Sequence, residues 1–548
     1  MLHNPLRMER QSLATFVASI ESRTVTAPAQ HPIQRPGRAF PLLLVSALTL
    51  FAVALDGYHP YAEDGGLYLA GIERLLNPSL FPYATSFVLE PMHHSLFAPT
   101  VAEAVRLTHL PLPAVMFALY LASIWTTLFA AWMLASRCWM SHSARVAAVT
   151  LLACWLTLPV AGTALLFMDP YTTARSFSTP CMVLALVGVL EMTALVPNRK
   201  RVVQRGMTMW AISIVLAAAM HPLMATYAFG SSSMLLVLRS PNRAFRLYGT
   251  AALALIAMTV AAYLQFLSQT ESANYICIAL TRTYWFPTQW RWFELAGLIL
   301  PLVLLTTVAR GKSLPSFGIH FTRSATTLAH MAIAVGLTSI LVALLFARTA
   351  TLSHLVARLQ PLRVFQIVYL VMILTLGAQL GGRLLRRSAV AWATAMLLLG
   401  GIMLLAQRMD FPHSNHLELP GIAPRNQWTE AFLWIRDNTP VDALFALDAD
   451  YINAPGEDAQ CFRAIAQRSA LADYSKDGGE ASIAPELTEQ WLRSQLAQIH
   501  LSEPSTTDGD RLSALRSLGV NWVVLQSEAV TRFDCPYRNP SVKICTLQ

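Results

Sequence analysis

The stretch PLLLVSALTLFAVALDGYHPYAEDGGLYLAGIERLL, residues 41–76, joins two kinds of sequence with no linker between them. Its first half is an unbroken apolar run of the length that crosses a bilayer. Its second half, Tyr58–Leu76, opens on Glu63-Asp64 and Gly65-Gly66 and then sets Tyr68, Ile72, Leu75 and Leu76 at helical spacing. The pattern predicts an amphipathic helix lying on the membrane surface, with two carboxylates at its start. One reading makes Asp64 a helix cap and leaves Glu63 solvated. The other gives the pair a chemical role. Tyr58, His59 and Tyr61 crowd the same turn, and two glycines weaken a helix unless something must approach it closely.

The rest of the chain agrees with a membrane setting. Of its 548 residues 55% are hydrophobic and only 13% charged, with a mean hydropathy of +0.46. A soluble protein of this size carries about a quarter charged residues. The net charge of +9 comes without the polar background of a nucleic-acid binder, so no nucleic-acid partner is expected. Apolar runs near 40–56, 111–135, 146–167, 179–196, 207–219, 222–238, 247–267, 293–309, 327–347, 364–382 and 389–407 predict about eleven spans. His221-Pro222 interrupts one block, which is either two short spans or one broken span. The fold class expected is mainly α: a polytopic α-helical membrane protein with a C-terminal extracytoplasmic α/β domain.

Basic residues set the direction. Residues 1–38, with Arg7, Arg10, Arg23, Arg35 and Arg38, read as a cytoplasmic tail, because no apolar core follows the first charges as in a signal peptide. Arg199, Lys200, Arg201 and Arg205 fall on the same side, as do Arg239, Arg243 and Arg246. Acids such as Glu63, Asp64, Glu90, Asp169 and Glu271 fall on the other. The membrane domain is then 39–408, with a large outer loop at 56–110, and 409–548 is an outer soluble domain. In that domain helices are expected near Trp428–Asp437, Pro485–Ile499 and Asp510–Leu518, and strands at Ala443–Leu447, Ala470–Tyr474 and Val520–Gln526. The seven cysteines include no CxxC pair; Cys461, Cys535 and Cys545 lie in the outer domain, where a Cys535–Cys545 bridge is one candidate.

Beyond the first loop, MDPYTTARSFSTP (Met168–Pro180) sets Asp169 and Arg175 among hydroxyl side chains. Arg175 there is either an anion ligand or the partner of Asp169 in an ion pair closing the loop. Arg358 and Arg363 flank LQP at the outer edge of the tenth span, against the usual inside bias. They bind phosphate, or they snorkel to ordinary headgroups. His221 reads as a helix-packing hydrogen-bond partner. Glu191 faces the bundle or snorkels toward the inner side. Tyr284, Trp285, Phe286, Trp290 and Trp292 read as an interfacial aromatic belt. Hard oxygen ligands at Glu63, Asp64 and Asp169 would suit Mg or Mn if a metal is held at all.

These pieces resemble the C-type glycosyltransferase (GT-C) superfamily: a first span, an acid-bearing outer loop with a surface helix, a second acidic outer loop after the third span, and a soluble tail. The phrases EDGGLYLAGI, DPYTTARSFSTP, HPLMATYA, LQPLRVFQIVYL, WIRDNTPVDALF and QRSALADYSKDGG look like those of an uncharacterised bacterial family of polytopic membrane proteins related to that superfamily. No sequence like the WWDYG of oligosaccharyltransferases is present. The resemblance implies an enzyme of the bacterial inner (cytoplasmic) membrane, its C-terminal domain periplasmic. It would take a sugar from a polyprenyl-phosphate donor and pass it, with inversion, to an envelope glycan, lipid or protein. Asp64 and Glu63, assisted by Asp169, would be the catalytic acids. Arg175, Arg358 and Arg363 would hold the lipid phosphate, with Tyr58, His59 and His221 on the substrate side. A non-catalytic membrane scaffold on the same fold and, behind it, a transporter are the alternatives.

Overall fold

The computed structural model describes residues 39–83, 85–194, 199–310, 322–382 and 388–547. The expected cytoplasmic tail at 1–38, and the basic residues Lys312, Arg383, Arg386 and Arg387, lie outside these. The chain divides into Met1–Leu44, of which residues 39–44 are described, and Val45–Gln548, to which every contact described below belongs.

Among the described residues nine helices are long and apolar enough to cross a membrane, from Ala39–Asp56 to Ala389–Asp410. Two shorter apolar helices, His142–Cys154 and Pro222–Leu238, complete the set. Each of the eleven apolar runs thus contains a helix. Many of their large apolar side chains, such as Leu50, Leu255, Phe266 and Leu397, face outward with no protein to cover them, as lipid-facing residues do. The block at His221-Pro222 is two helices, Arg199–Met220, long enough to cross a membrane, and the shorter Pro222–Leu238. Helices Arg199–Met220 and Pro222–Leu238 fold back on one another at His221, and Trp210 Nε1 donates to Ser232 Oγ at 2.9 Å.

The third run differs from its expected form. Helix His142–Cys154 stops short, and the chain continues as a buried hairpin in which Pro159 pairs with Leu166. Proline inside an apolar run removes a helix hydrogen bond. Ala161 and Ala164 adopt left-handed backbone, and Gly162 lies so near the Trp290 ring that a Cβ would come within 2.6 Å of it. Non-helical backbone at this depth is tolerable because the surrounding helices bury it. Trp285, Phe286 and Trp290 are correspondingly buried, so only part of the expected aromatic belt is one; Trp292 is exposed.

Contacts sort the loops onto two faces. On one, Thr322 donates to the Cys138 carbonyl, Arg239 to the Thr193 hydroxyl, and Arg137 pairs with Glu191. On the other lie the first loop, the hairpin after His142–Cys154, the turn at His221 and the C-terminal domain. That domain carries a five-stranded sheet, ordered β2-β1-β3-β5-β4. Its strands are β1 (Leu444–Ala446), β2 (Ser469–Ala470), β3 (Trp522–Gln526), β4 (Tyr537–Arg538) and β5 (Val542–Thr546). β1 runs parallel to β2 and β3, whereas β5 is antiparallel to β3 and β4. Phe432, Phe445 and Phe462 fill one side of the sheet, and Leu444, Val523 and Leu525 the other. A Cys535–Cys545 disulfide joins β5 to the loop before β4.

Candidate functional site

The surface helix runs Glu63–Leu76, as its apolar spacing predicts, but Asp64 does not cap it. The N-cap position is Ala62, and no side chain caps there. Glu63 instead starts the helix in left-handed backbone, φ 50°, a conformation that costs a non-glycine residue about 1–2 kcal/mol. Contacts from the C-terminal domain hold it there. Cys461 N–H donates to the Tyr61 carbonyl at 3.1 Å and Cys461 Sγ to the Glu63 carbonyl at 3.2 Å. The two glycines make this approach possible. A Cβ on Gly66 would fall 2.3 Å from Cys461 Cβ, and one on Gly65 would fall 2.6 Å from the Pro60 carbonyl and 2.9 Å from the Tyr171 ring.

The acids are brought together with cations. Arg175, in the first turn of helix Ala174–Met192, donates from Nη1 to Asp64 Oδ2 and from Nη2 to Asp169 Oδ2, both at 2.9 Å. The anion-site and ion-pair readings of Arg175 therefore resolve in favour of the pair, with Asp64 as an added partner. Lys476, from the C-terminal domain, pairs with Glu63 and lies 3.7 Å from Asp64 Oδ1. The Asp64 side chain stays 32% exposed against 6% for Asp169, so of the two Asp64 is the one open to a substrate. Burial pushes the Asp169 carboxyl above its ordinary range, and Arg175 opposes the shift.

Arg363 lies on the short helix Pro361–Val364, and its buried Nε has no hydrogen-bond partner among the described residues. It is close enough to Arg175, Asp64, Tyr284 and Tyr227 to feel their charge. His221, at the turn between its two helices, lies within the electrostatic range of Arg175 and Arg363, and its Nδ1 is also unpartnered. Asp64, Asp169, Arg175, Arg363 and His221 therefore belong to one locality.

Three expected site residues are placed elsewhere. Arg358 donates to the Ile483 carbonyl at 2.9 Å and so ties the tenth span to the C-terminal domain. Tyr58 packs on Phe117 and Tyr120. His59 stacks on Phe411 and pairs with Glu418 at 3.1 Å. Both fasten the first loop to the segment after the last span; Tyr58 N–H donates to the His416 carbonyl.

Glu63, Asp64 and Asp169 do not fit a divalent ion in this arrangement. Among the described residues no three His, Cys, Asp or Glu side chains are placed to share one metal. The Arg175 guanidinium takes the position between the two aspartates, and Lys476 neutralises Glu63. Glu191 is paired with Arg137 and lies 3.8 Å from Arg205.

Sequence reasoning missed three residues of this locality. Tyr68 sits one helical turn after Asp64 and within electrostatic range of Asp64, Arg175, Arg363 and Glu480; it reads in the sequence as part of an apolar stripe. Lys476 and Glu480 lie on helix Lys476–Ile483, which the glycine pair Gly478-Gly479 disguises as a loop. Their i, i+4 spacing is compatible with one helix face but does not say what that face meets.

No family model and no curated protein matches the chain. Among solved structures it is similar to the oligosaccharyltransferase AglB from Archaeoglobus fulgidus, solved with an inhibitory peptide and a dolichol-phosphate. The identity is 13%, over 89% of this chain and 69% of that one, with a TM-score of 0.42. It is also similar to the arabinofuranosyltransferase AftD from Mycobacteria, at 15% identity over 93% of this chain and a TM-score of 0.47. The chain covers 41% of AftD's length. Both are GT-C glycosyltransferases.

Proposed function

We propose that this membrane protein transfers a sugar from a polyprenyl-phosphate donor to an envelope acceptor, on the face that carries its C-terminal domain, which we take to be periplasmic. The observation that supports this most is Arg363: a half-buried side chain whose buried Nε is unpartnered, within electrostatic range of a carboxylate whose own cation is already supplied. Such a group suits an anion arriving from the membrane, and a guanidinium matches a phosphate bidentately. His221 lies within electrostatic range of Arg363 and offers its unpartnered Nδ1 to the phosphate, while the Tyr227 hydroxyl donates to the Leu359 and Gln360 carbonyls.

In this reading Asp64 accepts the proton of the acceptor hydroxyl. The acceptor oxygen bonds to the anomeric carbon while the bond from that carbon to the phosphate oxygen breaks. Its electrons leave with the lipid phosphate, whose charge Arg363 stabilises. Single displacement gives inversion. Arg175 holds Asp64 in place and keeps Asp169 buried beside it.

The test is a strain in which the chromosomal copy carries D64N or R363A. Mass spectrometry of its lipid extract should show polyprenyl-linked sugar accumulating while an envelope glycan declines. Purified R363A protein should bind farnesyl phosphate at least about tenfold more weakly than wild type. Unchanged lipid-linked sugars in both strains would favour the scaffold reading, which the ion pairing of all three acids also suits.

A further inference from the structure

Glu480 is 9% exposed, and no hydrogen bond or ion pair is formed by its carboxylate among the described residues. A carboxylate largely covered by protein, but with its oxygens still accessible and unpaired, is open to a partner arriving from outside. Its position says where that partner comes from. Helix Lys476–Ile483 presents Lys476, Gly479 and Glu480 on one face, and Lys476 on that face touches Glu63 and Asp64. Between them, a Cβ added to Gly479 would meet nothing within 4 Å. Gly478, one residue earlier, is packed against Arg282 and Trp491. The helix therefore turns one face onto Arg282 and Trp491 and leaves the other open toward the acids, with Tyr68 within electrostatic range of Glu480.

We propose, resting on the transfer reading above, that this face is the acceptor side of the site and that the acceptor is a glycan, with Glu480 hydrogen-bonded to its hydroxyls. A carboxyl group offers two oxygens to vicinal hydroxyls. Gly479 leaves a floor without a side chain, and Tyr68 supplies a ring against which the apolar face of a sugar can lie. The donor phosphate and the acceptor then reach Asp64 from different sides, Arg363 holding the first and the C-terminal domain the second.

The charged and titratable groups facing Glu480 are Lys476 and Asp477 on its own helix, Asp64 and Tyr68 on the surface helix, and Glu90 on helix Thr85–His93. Burial, followed by these acids, holds its carboxyl well above the ordinary range. In that state it donates as well as accepts hydrogen bonds, as a polyol partner requires.

The experiment compares G479L, E480A and E480Q with D64N in the full-length protein, and uses G401L in the last span, where a Cβ also meets nothing within 4 Å, as the control substitution. Lipid-linked sugar should accumulate and glycan output should fall about tenfold in G479L and E480A, with E480Q intermediate because it keeps one donor and one acceptor. Farnesyl phosphate binding to the same purified variants should stay within about twofold of wild type, which separates the acceptor side from the donor side. Thermal unfolding of G479L should match that of G401L, so lost output is not lost folding. If D64N blocks output while G479L and E480A do not, the acceptor assignment is wrong. A loss confined to modified proteins, with glycans intact, overturns the glycan as acceptor. If D64N is also silent, the transfer reading falls and this inference with it.

Discussion

Arg175 Nη1 lies 2.9 Å from Asp64 Oδ2, across 111 positions of sequence, and its other terminal nitrogen holds Asp169 at the same distance. One guanidinium thus locks the surface helix of the first loop to the start of a span. Removing it leaves two carboxylates facing each other, one of them buried. R175A should lower stability by about 3–5 kcal/mol, read as a fall in the unfolding midpoint in detergent. Adding D169N should restore part of the loss, because the buried orphan charge goes. An R175A protein that melts with wild type would remove the lock from the account.

The contact between Gly66 and Cys461 is the tightest seam between the first loop and the C-terminal domain. An alanine at 66 would place its Cβ 2.3 Å from Cys461 Cβ, and overpacking of this kind costs about 1–3 kcal/mol. G66A should therefore expose the tail to limited proteolysis. C461G should suppress part of the effect by removing the nearest clash, the Tyr61 carbonyl at 2.7 Å remaining, whereas C461A, which keeps the Cβ, should suppress less.

Glu73, two turns beyond Gly66 on the same face of the surface helix, gives a pH signature. Gln467 donates to its Oε1 at 2.9 Å, Oε2 is unpartnered, and burial pushes its carboxyl up to about 8. The folded state therefore holds a proton that the unfolded chain releases near the ordinary glutamate value. The associated stability is complete below about pH 4.5. It declines by up to about 1.4 kcal/mol per pH unit as pH rises toward 8, and flattens above that. E73Q should flatten the decline. Unfolding midpoints measured from pH 5 to 8.5 test it, and equal slopes in the two proteins would contradict it.

The spans were legible because twenty apolar residues in a row leave little choice, and His221-Pro222 marked the break correctly. Hydropathy failed at Leu156–Phe167, where the composition of a span conceals a hairpin. Pro159 was the sign, and apolar content outweighed it. β4 and β5 escaped because Pro536 and Pro540 interrupt a stretch of strands too short to show alternation. Asp64, Asp169, Arg175 and Arg363 were chosen for charge at the membrane face, a local property that needs no knowledge of distant contacts. Arg358 meets the same criterion, and Tyr58 and His59 crowd the turn of the acids, but all three are occupied in fastening loops and domain together. Lys476 and Glu480 were out of reach for the opposite reason: nothing in a soluble domain read by itself says which of its helices will face a loop 400 residues earlier.

The Cys535–Cys545 bridge closes a loop with a sequence separation of 10. Closing so short a loop is worth about 2–3 kcal/mol through the unfolded chain. The double variant C535S/C545S should lower the unfolding midpoint while leaving farnesyl phosphate binding intact, since the bridge lies at the far edge of the sheet from Lys476. Lost binding would show that the edge and the site are coupled.

The pairing of Lys476 with Glu63 also orders events in time. During synthesis the acid pair emerges early and the lysine that answers it comes more than 400 residues later. Until the final span is placed and the tail has folded on that face, Glu63 lacks its counter-ion, the left-handed turn lacks the cysteine that braces it, and Gly66 faces an open gap. A chain that stops before Cys461 and Lys476 can therefore have its lipid-facing helices in place while the turn at Glu63 stays unbraced.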